Sequence, residues 1–356
     1  MHTSPTRFCA AWALAAGVFP LLSAAVTTPA GLPQYVIDYA PLSYLYHEEA
    51  YFPSDLQAQL DNTQPEDNFT VVSNAPSPLT LDNLSQLNSL GGKDVYLTSK
   101  VDITTNPAWL TGVAPDCNGK TGNATSAAVI VVDKGNGTVD AFYMYFYAYN
   151  WGGLVLDFLQ LGNHVGDWRG YVAETDHREH NMVRFVNGEP TYVWYSQHEN
   201  GEAFAYPILH KSGNRPINYV ANGTHANYAI PGIHDHTIPD LNLPYGLLDD
   251  YTDGPDTGGI LWDPLLSANY YNYTNATGTP TFTPLDPSYP TDWLSYIAEW
   301  GDEQYPASDP RQELLFGGAI AKYSSGPTGP VDKQMSRVKV CPSNPYPCIL
   351  RWVLGP

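Results

Sequence analysis

A chain of 356 residues that is 43% hydrophobic and 15% charged has the balance of a folded globular protein, with room for one large domain or two ordinary ones. Sixteen basic residues stand against 36 acidic ones, a formal net charge of −20. A surface of that sign repels phosphate backbones and anionic bilayers, which excludes nucleic acid and an anionic membrane surface as partners.

The first residues carry the pattern of an export signal. Arg7 gives a positive start, an apolar stretch runs from Phe8 to about Leu22, and Ser23-Ala24-Ala25 offers small residues for cleavage. Residues 1–25 are therefore expected to be a signal peptide, leaving 26–356 as one domain. No later stretch has the roughly 20 uninterrupted apolar residues that a membrane helix needs, so no transmembrane anchor is expected after cleavage. Seven Asn-x-Ser/Thr sequons fit a secretory route: Asn68, Asn83, Asn123, Asn136, Asn222, Asn272 and Asn275. With Cys9 in the leader, Cys117, Cys341 and Cys348 remain, enough for one disulfide and one leftover thiol. Cys341 with Cys348 would staple a proline-set loop. Cys117 with Cys341 would tie the C-terminus to the front of the fold, and the spacing leaves both open.

Ala30 to Tyr46 reads as an extended entry segment. A short helix is expected within Tyr51–Leu60, capped by Ser54, and a similar one within Thr80–Leu90, both peripheral. The β signal starts at Ala127. Ala128-Val129-Ile130-Val131-Val132 is β-branched, Asn136-Gly137 follows, and Thr138 to Tyr149 returns as a second strand. Asn187-Gly188 repeats the pattern between Met182–Val186 and Thr191–Tyr195, and Asn222-Gly223 follows a short strand from Ile217 to Val220. These turns predict a mainly β fold, an antiparallel two-layer β-sandwich with long covering loops and a few short helices. Pro231 to Pro290 reads as covering loops, and Thr291 to Trp300 as a capped short helix ended by Gly301.

The chemical centre is expected at Gly162-Asn163-His164-Val165-Gly166-Asp167-Trp168, which follows the aromatic run Ala141–Trp151. His164 and Asp167 stand at i, i+3 between glycines that allow a sharp turn. Joined by Glu179 and His198, they would make an oxygen- and imidazole-rich set suited to one divalent metal ion. The plainer alternative has His164 and Asp167 bonding each other and the turn, with no metal. His234 and His236, at i, i+2, would face one side of an extended segment. Ser196 and Thr224 lack a Gly-x-Ser-x-Gly setting, which argues against a serine-type nucleophile. That leaves His164, Asp167 and His225 as the catalytic candidates, His225 as an acid/base. Asp249, Asp250 and Asp253 form an acidic loop cluster with Ca²⁺-type donors or plain solvated carboxylates, and the 26 tyrosines offer either core or a sugar-stacking face. His164, Asp167, His198 and His225 each follow or end an aromatic strand, and they are expected to converge on one polar pocket at a sheet edge.

The ordered motifs Gly162–Trp168, Tyr195-Ser196-Gln197-His198, Gly223-Thr224-His225-Ala226-Asn227-Tyr228, Leu261-Trp262-Asp263-Pro264, Trp300-Gly301-Asp302 and Asp309-Pro310-Arg311-Gln312 resemble the vacuolar protein sorting-associated protein 62 family. The resemblance spans nearly all of the chain after the leader. It implies a secreted or vacuole-directed glycoprotein with a role in vacuolar protein trafficking or binding, with a protein or glycan partner. The family pattern runs from Gly-Asp-Trp directly into Glu-His, whereas here residues 169–178 intervene before Glu179-His180. That segment reads as an insertion, either a genuine loop or a gene-model error. A local likeness to secreted necrosis-inducing proteins, which carry a His-x-x-Asp-Trp-Glu core in a β-sandwich, implies a metal held by histidine and acidic residues. Two other function classes therefore stay open: a metal-dependent, hydrolase-like enzyme centred on His164 and Asp167, and a secreted toxin-like or glycan-binding module.

Overall fold

The apolar runs from Ala127 onward build an eight-stranded sheet in this computed structural model. The structure describes residues 26–355 except 156–158, 169–179, 199, 236–245, 247, 319 and 344–347. The leader, the 169–178 insertion, Glu179 and His236 thus lie outside the described residues. The sheet order is Thr281–Pro284, Ala268–Thr274, Ala127–Gly135, Thr138–Tyr145, His180–Val186, Glu189–Gln197, Asn200–Ala205, Leu350–Arg351. Its pairs are antiparallel except where Ala268–Thr274 meets Ala127–Gly135 and where Asn200–Ala205 meets Leu350–Arg351. Asn136 and Asn187 form the expected hairpin tips with φ of 53° and 51°, each followed by a glycine in the same region.

Both faces of this sheet are buried, which explains why its strands read as continuous apolar runs rather than alternating ones. On one face Ile130, Phe142, Met144, Met182 and Trp194 pack with Leu56, Leu84, Trp168, Trp293 and Trp300. On the other, Val129, Tyr143, Tyr145, Val193 and Tyr195 pack with Val36, Leu45, Val220, Trp262 and Leu265. The second group belongs largely to a five-stranded sheet, in which Leu42–Leu45 runs parallel to Arg215–Val220 and antiparallel to Ile260–Trp262. The architecture is a mainly β sandwich of mostly antiparallel sheets.

Several sequence expectations are corrected. The entry segment holds a helix, Gln34–Asp38, as well as the strand Leu42–Leu45. The next helix is Leu56–Asn62, capped by Asp55 rather than Ser54, because the Asp55 carboxylate accepts the Gln57 and Ala58 amides. It is not peripheral, and neither is the 3-10 turn Leu84–Ser89: Leu56, Leu60, Leu84 and Leu87 are all core residues. The span 231–290, read as loops, supplies the strands Gly232–Asp235, Leu248–Thr252, Ile260–Trp262, Ala268–Thr274 and Thr281–Pro284. Thr291 begins only a four-residue 3-10 turn and makes no side-chain cap. Cys341 and Cys348 form the short-loop disulfide, which decides between the two pairings that the spacing left open. No helix among the described residues is long and apolar enough to cross a membrane.

Candidate functional site

The expected long strand Thr138–Tyr149 breaks at Phe146, and that break makes the site. Thr138–Tyr145 stays in the large sheet, while Tyr147–Asn150 turns away to pair with His164–Asp167. Phe146 packs on Trp168 with ring centroids 4.9 Å apart, whereas Tyr147 belongs to the opposite core. The register sets Asp167 beside Tyr147 and His164 beside Asn150. Gly166 has φ +66°, and a Cβ there would lie 2.2 Å from the Trp300 carbonyl oxygen, so only glycine permits this approach.

The Asp167 side chain is 0% exposed. Its Oδ2 lies 2.7 Å from His225 Nδ1 and accepts from Asn150 Nδ2 at 3.1 Å, while its Oδ1 lies 3.7 Å from His164 Nε2. His164 Nδ1 faces the Gly162 carbonyl at 3.0 Å. Burial by itself would raise the Asp167 pKa, but the imidazoles of His164 and His225 outweigh it and hold the carboxyl below its usual range.

His225 has an acceptor at each ring nitrogen. Beyond Asp167, its Nε2 lies 3.0 Å from the Tyr51 carbonyl and 3.8 Å from Glu49 Oε2. Its ring stacks on Tyr147 with centroids 3.7 Å apart and planes within 5°. Burial alone would lower its pKa, yet Glu49 and Asp167 carry it up to about 9, so an imidazolium sits between two carboxylates at neutral pH. Glu49 is fixed in turn, Oε1 accepting from the Tyr51 amide at 2.9 Å and Oε2 from the Gly223 amide at 2.9 Å.

A third carboxylate, Asp250, joins through Thr224, the residue before His225. The Thr224 carbonyl accepts from Asn150 Nδ2 at 2.9 Å, and the Thr224 hydroxyl donates to Asp250 Oδ1 at 2.8 Å. Asp250 Oδ2 accepts from the Tyr228 hydroxyl at 2.7 Å and lies 2.5 Å from His198 Nε2. His234, which faces Asp250 in the strand register, stacks on Tyr228 with centroids 3.8 Å apart. Burial lowers its pKa to about 4, against only a partial pull from Asp250, and keeps it neutral.

His164, Asp167 and His225 therefore meet directly, and His198 joins them through Asp250 and Thr224. They do so in a buried seam rather than around an open mouth: side-chain exposure is 0% for the first three and 8% for His198. Among the described residues, no group of three or more His, Cys, Asp or Glu side chains is disposed to hold a metal. Asp167 Oδ2 already faces two donors, the protonated His225 offers hydrogens rather than lone pairs, and Glu179 is outside the described residues. Asp253, an expected Ca²⁺-type donor, is taken up by His47, whose Nδ1 lies 2.5 Å from Asp253 Oδ2.

Glu49, Asn150 and Tyr228 were not among the sequence candidates, and Asp250 was grouped with the loop acids. The signal for Glu49 lies in the sheet. It follows Leu42–Leu45 as Gly223-Thr224-His225 follows Arg215–Val220, and these two strands are parallel neighbours, so the loops leaving their C-terminal ends meet. For Asn150 the signal is a lone amide closing an aromatic run.

The family described as vacuolar protein sorting-associated protein 62 matches residues 120–307, the interval that holds every seam residue except Glu49 and Tyr51. Two proteins of Saccharomyces cerevisiae are similar over most of the chain. One, TDA6, named among the vacuolar protein sorting-associated proteins, is 38% identical over 343 residues, covering 88% of this chain and 69% of its own. The other, vacuolar protein sorting-associated protein 62, is 36% identical over 337 residues, covering 87% and 68%. No solved structure matches the chain.

Proposed function

The chain belongs to the vacuolar protein sorting-associated protein 62 family, and from that premise we propose that it is a secretory-route, vacuole-directed glycoprotein acting in vacuolar protein trafficking as a binding component. The observation that carries a binding rather than a catalytic role is the closed seam. Asp167 and His225 spend their polar atoms on protein partners, His164 bonds the Gly162 carbonyl through Nδ1 and turns Nε2 toward Asp167, and all three side chains are 0% exposed, so the network fixes loops in place instead of meeting a substrate. No observation among the described residues favours the hydrolase-like or toxin-like alternatives.

The sequons divide into two groups that support glycosylation unequally. Asn68, Asn123, Asn136, Asn272 and Asn275 are exposed. Asn83 is half-buried, its side chain donating to the Pro78 carbonyl at 3.0 Å and accepting from the Thr80 amide at 2.8 Å. In the Asn222 sequon the Thr224 hydroxyl is buried on Asp250. The expected product lacks residues 1–25 and carries N-glycans at the five exposed asparagines. Intact mass before and after endoglycosidase tests this, together with the vacuolar delivery of a soluble hydrolase in cells lacking the gene. An unprocessed, unglycosylated chain would refute the route, and normal hydrolase delivery would refute the trafficking role.

A further inference from the structure

The face of the large sheet that buries Met182 and Trp194 loses its cover toward the Asn187-Gly188 tip. Arg184 and Tyr192 come next on that face, opposite each other in the register, and both are only half-buried. Val186, nearer the tip, is 38% exposed. The last part of the chain lies beside them. Lys339, Val340, Cys348 and Leu350 line, with Val186 and Tyr192, a groove of about 380 Å³. That volume lies at the small end of ligand pockets, with room for a few side chains but not for a folded domain.

The walls of the groove are fixed. Arg184 donates from Nε and Nη2 to the Asp140 carboxylate, each at 2.7 Å, and from Nη1 to the Val338 carbonyl at 2.8 Å. Lys134 Nζ donates to the Arg337 carbonyl at 2.7 Å, and the Cys341–Cys348 disulfide staples the same segment. A ligand therefore meets a surface already ordered, which lowers the entropic cost of binding. The charge here is opposite to that of the chain as a whole. Residues 333–356 contain Lys333, Arg337, Lys339 and Arg351 and no aspartate or glutamate, in a chain of 16 basic and 36 acidic residues. Lys339 is exposed, and its ammonium meets no carboxylate among the described residues. Apolar surface flanks the groove as well. Val338 is 87% exposed and Trp352 63%, and the Trp352 ring stands 6.0 Å from that of Tyr192. Exposed apolar area gathered beside a cation marks an interaction face.

We propose that this groove binds a linear peptide segment in which a large apolar side chain stands next to carboxylates. The apolar side chain enters between Tyr192 and Leu350, and a carboxylate pairs with Lys339. The concavity selects a side chain projecting from a segment over a second copy of this chain, whose face would have to bury roughly 1,000 Å² or more. An anionic bilayer is disfavoured by the charge of −20 behind the groove. The groove gives the proposed binding role a surface, but it is argued from its own geometry and charge. Normal hydrolase delivery would remove that role and leave the groove, whereas a groove that takes no peptide would leave the role and remove this proposal.

A displayed library of random linear peptides, selected on the purified full chain, is the probe. Enriched sequences should place an aliphatic or aromatic residue beside Asp or Glu. A synthetic peptide of the enriched sequence, followed by fluorescence polarisation, should bind about fivefold more weakly to Lys339→Glu at low salt, because one exposed charge pair is reversed. Leu350→Asp, which sets a carboxylate in the groove, should lose binding altogether. Lys339→Glu alters an exposed side chain and carries the test alone if Leu350→Asp does not fold. No enrichment, enriched sequences without acidic residues, or an affinity unmoved by Lys339→Glu would each overturn the proposal. So would a concentration-dependent dimer in sedimentation, or binding to phosphatidylcholine–phosphatidylserine vesicles, that Lys339→Glu abolishes, since either would give the groove a different occupant.

Discussion

The large sheet and the seam beside it are equally buried but held by opposite physics. The sheet is stabilised by apolar area on both faces, where the attraction has no direction and neighbours substitute for one another. The seam is stabilised by charged and polar groups, most of which meet one or two particular partners at fixed angles. Removing an apolar group therefore costs roughly what its own volume contributed. Removing a seam group costs what its partner then lacks.

The largest expected effect lies in the sheet. Phe185 is 0% exposed and packs on Tyr35 with centroids 4.7 Å apart. Phe185→Ala should destabilise by about 3–5 kcal/mol, the range for a truncated core aromatic that leaves a cavity. Denaturant unfolding at pH 7 would show it, and a loss under about 1 kcal/mol would mean that this face is loosely packed. Next comes the seam. Asp167→Asn and His225→Gln should each cost about 2–3 kcal/mol, because each leaves a buried charge short of a partner. The double variant should cost clearly less than their sum, whereas Phe185→Ala combined with Asp167→Asn should add. Full additivity of Asp167→Asn with His225→Gln would break the comparison, since it would show the two groups to be independent.

The same difference decides what could be read in the sequence. Ala128–Val132, Asn136-Gly137 and Asn187-Gly188 announce strands and turns through neighbours in the chain, so the hairpins and the β class were legible, whereas the spacing of the cysteines left two disulfide pairings open. The fold's second layer was less so. Leu42–Leu45 is four residues long, and its partners Arg215–Val220 and Ile260–Trp262 lie far along the chain. In the seam, His164, Asp167, His198 and His225 were recognisable as residue types in unusual turns. Their partners were not, because Glu49 reaches Gly223 across 174 positions and Thr224 reaches Asp250 across 26, and no local period records such pairs. The strand break at Phe146 was hidden for a related reason. Phe146 and Tyr147 are both buried and aromatic, and only the tertiary fold sends them to opposite cores.

The smallest expected effect sharpens the comparison from within the seam, where two histidines respond to pH in opposite senses. His225 has a folded pKa of about 9, above its unfolded value, so its contribution is full below about pH 6.5 and is lost as pH rises through 9. His234 has a folded pKa of about 4, below its unfolded value, so its contribution is present above about pH 6.5 and is lost as pH falls through 4. The cause is partner supply. His225 has Glu49 and Asp167, whereas the His234 Nε2 lies 3.1 Å from both the Ile230 carbonyl and the Thr252 hydroxyl, and its buried Nδ1 has no hydrogen-bond partner among the described residues. His234→Phe keeps the stack on Tyr228 and removes the group that resists protonation. At pH 7 it should cost about 1 kcal/mol or less, the worth of one neutral hydrogen bond. At pH 4.5 the unfolded wild type takes up a proton that its native state refuses, and the variant does not. The variant should therefore gain about 1–2 kcal/mol on the wild type over that interval. Thermal melts of both proteins from pH 4.5 to 7.5 would read the gap directly. Parallel acid limbs would show that His234 protonates freely in the native state, and the pull of Asp250 would then be enough to offset its burial.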